Sequence, residues 1–288
     1  MRVAGNVLAF NAERNLGMSN ASLGRSLEKL SSGFRINRAG DDAAGLVISR
    51  KLQVEVSGLR QAVRNAQDGI SFAQTAEGVL GEVHILLGRM RDLAVKAAND
   101  PNDAAARAAI KAEIDALAAE IDRIGIDTTF GGAEVFSAAP LSFQVGSAGD
   151  AGNQIQFVIG VLDANDLGGG GPPGGGPPGG GGQANDLTDL GVDTAANART
   201  SIESIDLAIE AVSSSRAALG SFQNRLESVI ANVQTTAENL SASASRIRDT
   251  EMAEEMVQYT KHQIREQAGT IMLGQANAIP RTIIRLLG

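Results

Sequence analysis

A seven-residue hydrophobic repeat runs through the chain from Leu52 to Ala94 without interruption. A second set of apolar residues follows most of its members at a distance of three residues, which is the pattern of a coiled-coil seam. The two sets are Leu52, Leu59, Ala66, Ala73, Leu80, Leu87 and Ala94, and Ala62, Ala76, Val83, Met90 and Ala97. Because so many members are alanine, a partner helix can approach closely. The repeat therefore predicts one long helix within a helical bundle.

Signals at both ends of the repeat predict where this helix starts and stops. Asp41 and Asp42 precede it and are expected to cap its first turn and complement the helix dipole. The Asn-Asp-Pro turn at 99–101 is expected to end it. A shorter helix should then fold back on the first, because its apolar residues recur in alternating steps of four and three. They are Ile110, Ile114, Leu117, Ile121 and Ile124.

Beyond Gly131-Gly132 the apolar residues recur with a period of two, which is typical of strands. A segment rich in turn-forming residues separates two such runs, so we predict one small β-hairpin. The runs are Leu141, Phe143 and Val145, and Ile155, Phe157 and Ile159. Residues 168–182 contain only Gly and Pro, a composition that cannot bury apolar area and that indicates an exposed linker.

After the linker, a second apolar seam predicts a second long helix. Its members are Ile202, Ile205, Ile209, Val212, Leu219, Phe222, Leu226, Val229, Val233, Thr236, Leu240 and Ile247. Each end of the chain carries a single apolar stripe. One is Leu16, Leu23, Leu27 and Leu30, ending at Ser31-Ser32-Gly33, and the other is Met252, Met256, Tyr259, Ile264 and Ile271. A helix with one stripe needs a partner, either the other end of the chain or a neighbouring copy.

Composition excludes several classes of protein. The chain has no Cys, which excludes a disulfide scaffold, a thiolate metal site and a cysteine nucleophile. A formal charge of −8, with only eight Phe and one Tyr as aromatic residues, argues against nucleic acid as a partner. No basic segment followed by an apolar run opens the sequence, and no apolar run approaches membrane-spanning length. We expect neither an ordinary secretory signal nor a membrane span.

No catalytic or cofactor-binding pattern is present. His84 and His262 lack the spacing of metal ligands. There is no Gly-x-Ser-x-Gly elbow, and the glycine-rich segment lacks the Gly-Lys-Ser/Thr ending of a phosphate loop. Carboxylates such as Glu120 have basic neighbours such as Arg123 at helical spacing, as surface charges do. We therefore expect no enzyme, no metal site and no cofactor.

Several long motifs near the two ends resemble the signatures of bacterial flagellin. In the N-terminal half they are EKLSSGFRIN at 28–37, DDAAGL at 41–46 and RNAQDGIS at 64–71. In the C-terminal half they are SRIRDTEMA at 245–253, QAGT at 267–270 and QANAIP at 275–280. The resemblance covers residues 1–160 and 195–288.

This resemblance implies a mainly α fold, a long coiled-coil helical bundle with one small β-hairpin region and with the N- and C-terminal helices paired. It implies an inner-tube domain at 1–42 plus 248–288, and a domain of bundle and hairpin at 43–167 plus 183–247. The linker at 168–182 stands where larger flagellins insert outer domains. We therefore expect a thin, smooth filament.

The resemblance also implies a function, namely a structural subunit that self-assembles into the flagellar filament for swimming motility. Such a subunit is exported through the flagellar type III apparatus and lies outside the cell. Implied partners are other copies of the chain, an export chaperone, the filament cap and the hook-junction proteins. The alternative is the hook–filament junction protein itself. Because single stripes gain partners only on assembly, residues ~1–40 and ~248–288 are expected to be largely disordered in the monomer.

One binding site is implied by the resemblance alone. In flagellins that are detected by the animal Toll-like receptor 5, an arginine, a leucine and a glutamate on the bundle helices make the main contacts. The matching residues are Arg89, Leu93 and Glu113, while Gly88 and Asp92 depart from the commoner Gln and Glu. An arginine fork beside an apolar anchor is typical of binding hot spots. The alternative interpretation is that these residues serve contacts between filament subunits.

Overall fold

The structure, a computed structural model, describes residues 6–137, 139–160, 162–164, 187 and 190–287. Helices dominate this part of the chain, which confirms the mainly α fold. They are α1 (Val7–Ser32), α2 (Ala43–Ala97), α3 (Ala104–Asp127), α4 (Ala195–Arg248) and α5 (Met252–Leu287). The predicted linker at 168–182 lies outside the described residues.

Helix α2 is 55 residues long and contains the whole seven-residue repeat. The carboxylate of Asp42 accepts the backbone N–H of Gly45 at 2.9 Å and so caps the first turn. The prediction for Asp41 is wrong, because its carboxylate instead accepts the N–H groups of Asn37 and Arg38 at 3.1 and 3.0 Å. Asp41 therefore builds the turn that leads into the helix. At the other end, α2 stops at Ala97, just before the predicted Asn-Asp-Pro turn.

Two small hairpins follow α3, where the sequence predicted one. Strands β3 (Leu141–Gln144) and β4 (Gln154–Phe157) pair antiparallel with Phe143 opposite Ile155, as predicted. Before them, β1 (Thr129–Phe130) and β2 (Ala133–Glu134) pair around Gly131-Gly132. Both glycines have positive φ angles, 60° and 87°, which a tight two-residue hairpin requires. The predicted hairpin is confirmed, and the sequence did not show the other one because strands of two residues are too short to show a period.

The chain divides into two compact units. The central unit is Ser57–Ala237, and the terminal unit combines the chain up to Val56 with the chain from Glu238 onward. In the central unit, large side chains of α2, α3 and α4 are fully buried in one hydrophobic core, among them Leu87, Ile114 and Leu219. Ala73, Ala76 and Ala94 are fully buried in the same core, so the small seam residues do allow close packing.

The α4 seam is confirmed at most of its predicted positions and is wrong at one. Ile205, Val212, Leu219 and Leu226 are fully buried. Near the end of the central unit, however, Thr236 is exposed and the next residue, Ala237, is buried. A methyl side chain fits a close helix contact there, whereas the hydroxyl of Thr236 bonds to the carbonyl of Asn232 on its own helix at 2.9 Å.

A cluster of phenylalanine rings anchors the larger hairpin in the central unit. The ring of Phe157 on β4 stacks on that of Phe222 on α4, with centroids 4.4 Å apart. Phe143 on β3 lies 5.7 Å from Phe222 and 6.0 Å from Phe72 on α2. A Cβ on Gly69 would come within 3.2 Å of Phe143, so the hairpin approaches α2 where that helix has no side chain. Aromatic contacts of this kind stabilise the fold by more than the burial of their apolar area alone.

Candidate functional site

The terminal unit is built on an antiparallel pairing of α1 with α5. The amide of Asn6 donates to the carbonyl of Ala276 at 2.7 Å, and Lys29 forms an ion pair with Glu255 at 3.7 Å. Between these ends, Leu16 packs where Gly269 has no side chain. The first and last helices of the chain therefore lie side by side, as predicted.

Both faces of this pair follow the alternating spacing of a coiled coil. The less exposed residues of α1 on this face are Ala9, Ala12, Leu16, Ser19, Leu23, Ser26 and Leu30. Their counterparts on α5 are Glu255, Tyr259, His262, Glu266, Gly269, Leu273 and Ala276. Three leucines of the predicted α1 stripe thus face α5, while Leu27 is exposed. On α5 the pairing face is largely polar or small, which is why an apolar pattern did not identify it.

The predicted apolar stripe of α5 lies on the outside of the pair. Of its members only Tyr259 is half-buried, and the other four are exposed. Together with their apolar neighbours on this helix, the exposed residues are Met252, Met256, Val257, Ile264, Ile271 and Met272. We call these six residues the outer face of α5. Part of it forms an open groove of about 520 Å³ whose walls include Met256, Val257 and Ile264.

Helix α1 also exposes large apolar residues. Val7 is 68% exposed, Phe10 67% and Met18 56%. Single exposed apolar residues are ordinary on protein surfaces, but a set concentrated on two paired helices marks an interaction site. The sequence left open whether the terminal stripes pack on each other or on other copies. Within the described residues, α1 packs on α5, whereas the outer face of α5 stays uncovered.

A short backbone bridge connects the segment between α1 and α2 with the segment between α4 and α5. Helix α1 ends at Gly33, which adopts the left-handed conformation with φ 75° and bonds back to Lys29. The N–H of Thr250 donates to the carbonyl of Gly33 at 2.9 Å, and that of Arg35 to the carbonyl of Arg248 at 2.7 Å. Phe34 and Asp249 thus form an antiparallel β-bridge, which holds the segment between α1 and α2 next to the segment between α4 and α5.

The side chain of Arg248 reinforces this bridge. Its guanidinium lies over the ring of Phe34 at 4.0 Å and donates to the Oε1 atom of Gln53 on α2 at 3.2 Å. One residue at the end of α4 therefore holds both the turn after α1 and the first part of α2. We call Phe34, Gln53 and Arg248 the junction clamp. Sequence reasoning missed it, although Gly33 and the Asp249-Thr250 break mark its place in the chain.

Of the three residues matched to receptor contacts, two are exposed. The guanidinium of Arg89 on α2 pairs with the carboxylate of Glu113 on α3 at 2.8 Å, and both are exposed. Leu93 is only 4% exposed and belongs to the same hydrophobic core as Ile110 and Ile114. The apolar anchor predicted at Leu93 is therefore covered in a single subunit, because this position lies beside the seam residue Ala94 and packs inward.

Charged groups in the described residues serve local structure. Backbone N–H groups of Arg38 and then Asn37 hold the pKa of Asp41 below its ordinary value. Arg123 pairs with Glu120 and Asp127, which raise its pKa above the usual range for arginine. In the described part of the chain no three His, Asp or Glu side chains are grouped for a metal ion. None of the described helices is long and apolar enough to span a membrane.

Two family models match this chain. Residues 3–140 match the bacterial flagellin N-terminal helical region, and residues 202–287 match the bacterial flagellin C-terminal helical region. A flagellin of Halalkalibacterium halodurans is 42% identical over 282 residues, which cover 98% of both chains. The chain belongs to the flagellin family. A Bacillus subtilis flagellin is also 42% identical, over all of both chains. The flagellar filament 33 kDa core protein of Treponema phagedenis is 40% identical over 98% of both.

This flagellin is a structural subunit that self-assembles into the bacterial flagellar filament and so serves swimming motility. Its relatives match over nearly their full lengths, so it is a short flagellin, as the sequence predicted. Nothing in these comparisons favours the hook–filament junction protein. Flagellin forms the extracellular filament, and the matched regions contain the α1–α5 pair, most of the bundle and the junction clamp.

Proposed function

We propose that flagellin subunits join through the outer face of α5 and the exposed apolar residues of α1, each covered by neighbouring copies of the chain. The observation that carries this proposal is the exposure of Met252, Met256, Val257, Ile264, Ile271 and Met272 on a helix whose other face is already occupied by α1. Removing this apolar surface from water supplies a large, non-directional driving force. A second copy of the chain is the occupant because the protein forms a homopolymer.

The charge distribution supports the terminal unit as the part of the subunit that makes the attractive contacts with other subunits. In the central unit Asp and Glu outnumber Lys and Arg, whereas in the terminal unit the basic residues outnumber the acidic ones. Central units of neighbouring subunits therefore repel one another at low ionic strength. Attraction between copies has to come from elsewhere, and the exposed apolar surface of the terminal helices supplies it.

The pairing of α1 with α5 is weak in a single subunit, and assembly completes it. The contact face of α5 includes Glu255, His262, Glu266 and Gly269, which bury little apolar area. Helices held by so narrow a contact gain most of their stability from further packing. We therefore propose that residues ~1–40 and ~248–288 are largely disordered in the monomer and fold on polymerising. The functional domains proposed for the filament are 1–42 plus 248–288 and 43–167 plus 183–247.

Family membership supports further partners. The proposed set is the flagellar export chaperone, the filament cap and the hook-junction proteins, with export through the flagellar type III apparatus. Toll-like receptor 5 belongs to the same proposal, with Arg89 and Glu113 as exposed contact residues. In this proposal the buried side chain of Leu93 contributes indirectly, because its packing in the core holds the backbone of α2 in place. The same ion pair serves contacts between subunits in the alternative proposal.

Seeded polymerisation tests the assembly proposal. Purified protein is dissociated, mixed with sheared filament seeds, pelleted and examined by electron microscopy. Replacing Ile264, which is 61% exposed, with Asp places a charge in the outer face of α5 and should raise the critical concentration by about tenfold or more. The matched control is Gln74→Asp, an exposed change on α2 in the central unit and outside that face, which should polymerise like the unmodified chain. An Ile264→Asp protein with an unchanged critical concentration would rule out this face as the contact.

A further inference from the structure

The five methionines that lie in the described residues of this flagellin fall into two groups. Met90 on α2 is fully buried in the core of the central unit. Met18, Met252, Met256 and Met272 are between 49% and 63% exposed, and all four belong to the terminal helices. Three of them lie on the outer face of α5, and Met18 lies among the exposed apolar residues of α1. We call these four the exposed methionines.

Thioether sulfur is the oxidisable group that these side chains present to solvent. With a peroxide, the sulfur lone pair attacks one peroxide oxygen, and an S–O bond forms as the O–O bond breaks. The departing hydroxide takes the proton of the transferred oxygen and leaves as water. Sulfur loses two electrons and the peroxide gains them, so the products are methionine sulfoxide and water. Because this reaction needs access to sulfur, it should occur at the exposed methionines and not at Met90.

A sulfoxide changes the chemistry of the face that carries it. The S=O group is a strong acceptor, and its burial without a hydrogen-bond donor costs free energy. In the groove beside Met256, Val257 and Ile264 offer no donor, and the donors of Thr260, Lys261 and Arg265 belong to exposed side chains at the same groove. A neighbouring copy that covers this face has to remove water from each sulfoxide oxygen. Oxidation therefore opposes the burial on which assembly depends.

We propose that the exposed methionines are an oxidation-sensitive modification site that controls assembly: their sulfoxides keep a free subunit out of the filament, and incorporation protects them. This inference rests on the proposed assembly face. Free subunits should then be more sensitive to peroxides than filaments, because only the free subunit presents these sulfur atoms to solvent. Methionine sulfoxide reductases reverse the modification chemically, so the block is reversible.

Hydrogen peroxide and the purified full-length chain test this proposal. Free subunits and preformed filaments are treated identically, sulfoxides are mapped by peptide mass spectrometry, and seeded polymerisation gives the critical concentration. Treated subunits should carry sulfoxide at the four exposed methionines and show a rise in critical concentration of about tenfold or more. Filaments treated in parallel should show less sulfoxide at the same four positions. Reduction by a methionine sulfoxide reductase should restore polymerisation of the unmodified sequence.

Leucine variants assign the effect to these positions. A chain with Met18→Leu, Met252→Leu, Met256→Leu and Met272→Leu should polymerise after peroxide treatment, whereas the matched Met90→Leu control should still be inhibited. Fully oxidised subunits that polymerise at the untreated critical concentration would overturn the proposal, and so would equal inhibition of the fourfold variant. If that variant does not fold, reductase rescue of the unmodified sequence decides, and failure of rescue counts against the proposal. Untreated subunits that do not polymerise would instead overturn the assembly face itself.

Discussion

The guanidinium of Arg248 lies 4.0 Å from the centre of the Phe34 ring, a cation–π contact between residues near opposite ends of the chain. The same guanidinium donates to Gln53 on α2, and the backbone on both sides is bridged. The segment between α1 and α2 and the segment between α4 and α5 are therefore held together. The terminal unit owes its internal register to this junction clamp as well as to the α1–α5 pairing.

Replacing Arg248 with Ala should loosen this clamp. The change removes a half-buried cation–π contact and a charged hydrogen bond, and we expect it to destabilise the terminal unit by about 1–2 kcal/mol. Faster hydrogen exchange at the amides of Arg35 and Thr250 in assembled filaments, where the terminal unit is folded, reports the opening. Arg248→Lys keeps the charge and loses the planar group, so its effect should be intermediate. Arg246→Ala is the matched control, because Arg246 is exposed and bonds only locally to Ser243. Equal exchange rates in all four proteins would contradict a clamping role.

Two helical glycines should respond to alanine in opposite directions. A Cβ on Gly125 of α3 would overlap the carbonyl oxygen of Leu162, whereas a Cβ on Gly78 of α2 would meet no atom within 4 Å. We expect Gly125→Ala to destabilise the central unit by about 1–3 kcal/mol. Gly78→Ala should stabilise it by about 0.5–1 kcal/mol through helix propensity. Urea unfolding followed by circular dichroism measures both, and a destabilising Gly78→Ala would show that this surface is less open than described.

Substitutions of the three residues matched to receptor contacts should have different effects on stability and on receptor binding. Leu93→Ala removes a buried core side chain and should cost about 2–4 kcal/mol of stability. Arg89→Ala and Glu113→Ala break an exposed ion pair and should each cost less than about 1 kcal/mol. In a binding assay with Toll-like receptor 5, the latter two should weaken affinity by about tenfold. Arg91→Ala is the control, since Arg91 forms a different exposed ion pair with Asp206, and equal weakening there would argue against a specific site.

The turn before α2 should weaken in acid. The lowered pKa of Asp41 means that its ionised form is favoured in the folded chain. Its contribution to stability is therefore complete above the ordinary value of 3.8 and is lost as the pH falls through the lower, folded value. NMR signals of the Asn37 and Arg38 amides should shift with a midpoint below 3.8. Asp41→Asn should abolish this titration. A midpoint at or above the ordinary value would show that the two N–H groups do not stabilise the carboxylate.

Much of the bundle could be predicted from periodicity because periodicity reflects burial directly. Every member of the repeat from Leu59 to Ala94 is buried, and the steps of four and three in α3 place Ile110, Ile114 and Ile121 inside. The alternating run around Phe143 identified the larger hairpin. The repeat also places Leu93 beside a seam residue, which accounts for its burial, and the receptor role of Leu93 stays a prediction.

The terminal helices were harder to predict for a physical reason. Apolar periodicity shows which residues share a face, but it does not show whether that face is covered by the same chain or by another. On α5 the apolar stripe around Ile264 faces outward, and a face containing His262 and Glu266 meets α1. A subunit that polymerises must pack within its own chain and against other chains, and in the proposed assembly the stronger apolar pattern of α5 serves the contacts between chains.

The hydrogen bond from Asn6 to Ala276 spans 270 residues of sequence, so the first helix to be made finds its partner in the last. A chain whose synthesis stops before α5 has every residue of α1 and nothing to pair it with. Such a fragment lacks both the covered face and the outer face on which the polymer is built. If subunits join through the outer face of α5, a chain truncated before that helix should not polymerise, even though all of α1 and of the bundle is present.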